Sequence, residues 1–198
     1  AALTTLPRDS GGGIVLRAGW YGMTAQSYCL HAGTRGPSRG DGYLYAPLKG
    51  SADETIAAIL RNSVNHPDIE QRDVQMLLWA IVARAKFENL DNRLKVVAGR
   101  LLSKKQLATL NRSALSVLTS PELSRLTGGL PAPLRAIAEA ESRMRGMFSG
   151  GSSYADLERV AVLGGAGPRG AGSVDVPSGR WSQHPDGYFV RYRPNGYT

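Results

Sequence analysis

Ile69-Glu70-Gln71-Arg72-Asp73-Val74-Gln75-Met76-Leu77-Leu78-Trp79-Ala80-Ile81-Val82-Ala83-Arg84-Ala85-Lys86-Phe87 is the stretch on which the fold turns. Val74, Leu77, Leu78, Ile81, Val82 and Ala85 recur at i, i+3, i+4 and i+7, the period of one helix face. Met76, Trp79 and Ala83 cover much of the opposite side. A helix that is apolar almost all round is central and buried. The pattern therefore predicts a buried helix over 69–87 as the spine of the molecule. Its core, 76–83, is the longest unbroken apolar run, at eight residues. A membrane-spanning helix needs about 20, so no transmembrane segment is expected.

Working outward, more helical signals surround the spine. Ser51 and Glu54 have capping-box spacing and predict a helix over 51–64, with Ile56, Ile59 and Leu60 on its apolar stripe. Leu94, Val97, Leu101 and Leu102 mark a third helix. Ser103 with Gln106 caps a short fourth. Ser120-Pro121-Glu122 starts another short one, with proline where its missing N–H costs little. A strong helix is expected over 133–148, with Leu134, Ile137, Met144 and Phe148 as its stripe. The pairs Glu139/Arg143 and Glu141/Arg145 sit at i, i+4. Ser153 to Asp156 begins a last turn or two.

Glycine divides this helical middle from the two ends. Ten of the 24 glycines fall in 1–50, only Gly99 lies between 51 and 127, and the rest follow from Gly128. Glycine is costly inside helices and useful in turns. The N-terminal third opens with Asp9-Ser10-Gly11-Gly12-Gly13, read as flexible, followed by strand-prone 14–17, 20–30 and 43–45. At the other end, 181–184 and 188–193 read as two strands around Pro185-Asp186-Gly187. The expected class is α+β. A mostly helical array over about 51–163 carries a small antiparallel sheet built from the Gly- and aromatic-rich N- and C-terminal segments. Residues 1–163 form the single domain, 164–172 a flexible linker, and 173–198 a C-terminal hairpin segment. Neither end has enough strands to be stable alone, so the two are expected to combine and to pack on the 69–87 helix.

The chain has 198 residues and a formal net charge of +8. Of its 24 cations, 19 are arginine, which holds carboxylates and phosphates bidentately. The charge is spread along the chain without a basic tail. A single cysteine, Cys29, excludes an intrachain disulfide. The Ala-Ala-Leu start fits a chain trimmed of a signal peptide and equally a recombinant boundary. The aromatic, Gly-rich flanks point to a secreted or periplasmic location. Tyr197-Thr198 reads as a strand just beginning, as if the natural polypeptide continued.

Several constellations carry candidate chemistry. Cys29 and His31 share a strand face, and a thiolate nucleophile needs a base. Asp41 or Asp186 would orient the histidine. The same side-by-side arrangement also suits a buried structural cysteine. Adding His184 makes three metal-type ligands, but no metal-binding spacing occurs and no metal or cofactor is expected. Gly165, Gly167 and Gly170 fit G-x-G-x-x-G, yet no helix and no β-α-β unit follow. Residues 36–42, with Arg35 and Arg39, form a glycine-rich turn capable of holding an anion. Tyr188, Arg191, Tyr192 and Arg193 interleave aromatic and cationic groups, suited to stacking on bases or sugars. The sequon Asn111-Arg112-Ser113 falls in a helical region. Three readings follow. The first is a non-enzymatic envelope or extracellular protein that binds itself or another chain through its β-rich ends. The second is a small hydrolase or transferase using Cys29 and His31. The third is a binder of an anionic polymer, nucleic acid or acidic glycan.

Overall fold

A computed structural model describes residues 5–36, 40–115, 131–163 and 173–194. The helices are α1 (Asp53–Ser63), α2 (Gln71–Val82), α3 (Asn92–Leu101), α4 (Lys104–Leu115), α5 (Ala132–Ser149) and α6 (Tyr154–Ala161). The strands are β1 (Thr34–Arg35), β2 (Val162–Leu163), β3 (Ser182–Gln183) and β4 (Phe189–Val190). The class is α+β, with a mostly helical body.

The spine is α2. Val74, Leu77, Leu78 and Trp79 on it are essentially inaccessible, and Ile59, Leu94, Leu101, Met144 and Leu157 close around them from α1, α3, α5 and α6. Each such side chain contributes roughly 1.5–3 kcal/mol by leaving water. The helix stops sooner than the periodicity predicts. Arg84 adopts φ 56°, the Arg84 N–H bonds to Ile81 O, and the Ala85 N–H bonds to Ala80 O. That pair of bonds is a Schellman motif, a helix stop usually built with glycine.

Side-chain caps start α3, α4 and α6, whereas α1, α2 and α5 begin without one. Asp91 accepts from the Leu94 N–H to start α3. Ser103 and Gln106 exchange hydrogen bonds before α4. Ser153 and Asp156 form a capping box on α6. The Ser51/Glu54 box is not made: Ala52 is the N-cap without a side-chain bond, and the Asp53 carboxylate takes the Glu54 N–H instead. An ion pair between a buried carboxylate and a largely exposed arginine ties α3 to α2. Arg93 donates twice to one oxygen of Asp73, at 2.9 and 2.7 Å. Arg145 donates to the carbonyl of Ala83, so α5 is tied to the end of α2 through that residue.

The sheet expected from the two ends is present in part. β3 and β4 pair antiparallel, Ser182 opposite Val190, around a turn in which Gly187 has φ 86°. The N-terminal and C-terminal segments meet at one antiparallel bridge, Asp41 to Pro177. The Tyr45 N–H adds a bond to Ser182 Oγ at 2.7 Å. β1, however, pairs parallel with β2, Thr34 opposite Val162. The reason is local: Gly33 N–H bonds to Ala161 O as α6 ends, and the residues after α6 offer the nearest free edge. The 9–13 turn is closed by the Asp9 carboxylate, which accepts from the Gly11 and Gly13 N–H groups. The segment read as a linker, the helix read at Ser120, and Tyr197-Thr198 lie outside the described residues.

Candidate functional site

Residues 27–31 run extended beside α2 without a strand partner. Their backbone is satisfied by side chains of the helix instead. Gln71 Nε2 donates to Ser27 O at 3.1 Å. One turn on, Gln75 Oε1 accepts from the Cys29 N–H at 2.7 Å, and Gln75 Nε2 donates to Cys29 O at 2.9 Å. A carboxamide has the donor and acceptor of a peptide unit, so Gln75 stands in for a neighbouring strand at one residue. Gln75 is only 4% exposed. A buried amide must find partners for both its ends, and here both belong to Cys29.

The Cys29 sulfur lies against the same helix. Its thiol donates to the carbonyl of His31 at 2.9 Å. Burial pushes the thiol's pKa up, while hydrogen bonding from the His31 backbone and from the Trp79 side chain pulls it partly back. Trp79 is wholly buried, and its Nε1 is the single buried side-chain nitrogen or oxygen among the described residues without a hydrogen bond of full geometry. The same indole is among the groups that lower the pKa of the Cys29 thiol. Gln75 and Trp79 are four apart and so share a helix face. One turn of α2 thus carries the carboxamide that holds the backbone of Cys29 and an indole that favours the ionised form of its thiol. Tyr154 stacks on Trp79, with centroids 5.6 Å apart at 27°, and holds the indole in place.

The loop beyond the cysteine is equally constrained. Gly33 has φ 70°, and a Cβ there would lie 2.6 Å from the Cβ of Ala140 and 2.8 Å from Ala136 O. Only glycine lets the chain turn this close to α5. Leu30 and His31 also line a cavity of about 530 Å³ between α1, α2 and α5, together with Asp53, Arg84 and Glu141. Burial holds the Glu141 carboxyl above its ordinary range, opposed by Arg84 and Arg145.

The residues singled out in the sequence are dispersed. His31 is exposed, and the hydrogen bond joining it to the Cys29 thiol runs to its carbonyl, not to its ring. Asp41 is paired with Arg35, at 3.0 and 3.2 Å. His184 is stacked on Tyr188, at 4.3 Å and 10°, and edge-on to Tyr45, with Asp186 at 3.4 Å. Arg191 lies 4.7 Å over the Trp181 ring, and Trp181 meets Trp20 edge-on at 5.3 Å. Tyr192 and Arg193 are exposed; Arg39 lies outside the described residues. No three His, Cys, Asp or Glu side chains among the described residues are grouped as metal ligands. No protein-family model matches this chain, and neither curated proteins nor solved structures show significant similarity to it. The site therefore rests on its own geometry. Its two decisive residues, Gln75 and Trp79, are absent from the sequence-derived candidates. The available signal was Gln75 itself, a polar residue inside an apolar helix, which must be partnered once buried.

Proposed function

We propose that this protein is an exported or envelope-associated binding domain that attaches to its partner covalently, through an internal thioester between Cys29 and Gln75. The observation that supports it is the grip of the Gln75 carboxamide on the cysteine's own backbone. The Cys29 N–H donates to Oε1 and so polarises the carbonyl carbon, the role of an oxyanion-hole donor. The thiol of the same residue is the neighbouring nucleophile. Sulfur adds to Cδ of Gln75, the C–N bond breaks, and the thiol proton leaves with the nitrogen as ammonia. No oxidant or cofactor is needed. The product is an activated acyl group shielded from water by α2 and by the 27–33 segment.

A primary amine on a partner completes the reaction. Its nitrogen attacks Cδ, the C–S bond breaks, and the amine proton ends on the sulfur. The partner is then joined to Gln75 by an amide, and Cys29 is a free thiol again. A self-consuming reaction of this kind makes a binder, not a turnover enzyme. It agrees with the expectation of an extracellular or envelope protein acting on another chain, and it gives the lone cysteine a role without a catalytic histidine.

Intact mass decides the matter. The purified protein should weigh less than its sequence by one ammonia, and incubation with methylamine should add one methylamine. Cys29→Ala and Gln75→Ala should each abolish both changes. A full-weight wild-type protein that takes up no amine would sink the proposal.

Assembly through the chain ends has its own support. Trp20 is 82% exposed and Phe189 62%, both on the surface where the N-terminal arm meets the hairpin. Removal of 173–198 should lower the solution mass to that of a monomer; a full chain that is already monomeric at high concentration rejects this second reading.

A further inference from the structure

We infer that the Trp79 indole N–H is a catalytic donor to the Cys29 sulfur, holding its negative charge both when the thioester forms and when an incoming amine expels it. The inference rests on the thioester reading and deepens it. Two observations carry it. Trp79 Nε1 is buried without a hydrogen-bonding partner of full geometry, an omission that costs roughly 1–3 kcal/mol in a folded protein. It lies one helical turn from the Gln75 carboxamide that holds Cys29, and it favours the ionised form of that thiol, whose sulfur is a poor acceptor when neutral and a good one as a thiolate. The unmet donor in the resting state becomes a met donor when charge develops. A group that binds the charged state better than the resting state lowers the barrier between them.

The surroundings permit little else to play this part. The thiol sits in an environment that disfavours its ionisation, burial being the main cause. The His31 ring is not hydrogen-bonded to the sulfur. Stacking against Tyr154 keeps the indole from swinging away, and its place one turn from Gln75 fixes it relative to the carbon under attack. The donor is therefore preorganised, the arrangement in which such groups are most effective.

Trp79→Phe keeps an aromatic ring against Tyr154 and removes only the N–H. Two readouts follow. The first uses protein pre-treated with methylamine, in which Cys29 is a free thiol whether or not a thioester had formed. Alkylation of that thiol as a function of pH should show its titration midpoint shifted upward in Trp79→Phe. The second is the rate of methylamine uptake followed by intact mass, expected to fall roughly 100-fold. In wild-type protein labelled with nitrogen-15 at tryptophan, the Trp79 indole resonance should move across the pH range in which the thiol ionises. An unchanged midpoint together with a stationary indole resonance overturns the inference. If Trp79→Phe fails to fold, the indole resonance of the wild type decides alone. Failure of the thioester itself appears separately, as full mass and no methylamine uptake in the wild type.

Discussion

Arg84 holds the left-handed backbone at the end of α2, at φ 56°. A non-glycine residue in that region costs about 1–2 kcal/mol. Arg84→Gly should therefore raise stability by about 1 kcal/mol, seen as a higher Tm, unless the guanidinium is needed at the cavity it lines. Gly33 is the opposite case. Gly33→Ala combines a positive φ with contacts below 3 Å on Ala140 and Ala136. Strain and overpacking together should cost about 3 kcal/mol, read as a shift in the denaturant midpoint. Both residues were visible in the sequence, but their backbone angles were not. A turn that glycine must make and a helix stop that arginine tolerates look alike until the neighbours are placed. Cys29 shows the same limit. The sequence offered His31 as its partner because two residues on a strand share a face. The structure gives the sulfur the carbonyl of that histidine, and gives the cysteine backbone to a glutamine 46 positions away.

Elements follow the sequence where their determinants are local. The spine, expected over 69–87 and found over Gln71–Val82, and the Ser103/Gln106 box arise from periodicity and short-range hydrogen bonding, so they could be read directly. The strands are two residues long, and while β3 and β4 form a local hairpin, β1 and β2 pair across more than a hundred positions, Thr34 with Val162. No local pattern encodes such a choice. The 27–31 segment is the extreme case: its backbone partners are the side chains of Gln71 and Gln75 on a helix. Gln75→Leu tests that dependence. It preserves the apolar face of α2 and leaves the Cys29 N–H and C=O without their partners, at a cost of about 2 kcal/mol. Amide exchange should become faster at Cys29 and its neighbours while the centre of α2 stays protected. Equal loss of protection in both places would mean that the segment and the helix open as one unit.

For the molecule as a whole, pH reports on the buried acids. Burial raises the thiol of Cys29 and the phenols of Tyr28, Tyr43 and Tyr188 above their ordinary values. A raised acid retains its proton longer in the folded chain than in the unfolded one. Its contribution is complete below the unfolded pKa and disappears as pH climbs through the folded one. Chemical denaturation should therefore show stability declining on the alkaline side, through the thiol and phenol range. In Gln75→Ala, where Cys29 must stay a thiol, adding Cys29→Ala should flatten that decline. The C-terminal hairpin belongs to this scale as well, since the N-terminal segment reaches it through the Asp41 bridge, Gly42, Tyr45 and the Trp20–Trp181 ring contact.

The hold of Gln75 on Cys29 also sets a timetable. A chain made N-terminus first exposes its arm, with Trp20 and Met23 uncovered, well before the glutamine that aligns it exists. At about 5–20 residues per second the delay is several seconds, and it lengthens until α2 is itself helical. The arm is synthesised before α2 and is seated only once α2 is in place. Its alignment is then checked at a single carboxamide, and a slip of one residue carries the cysteine out of that grip.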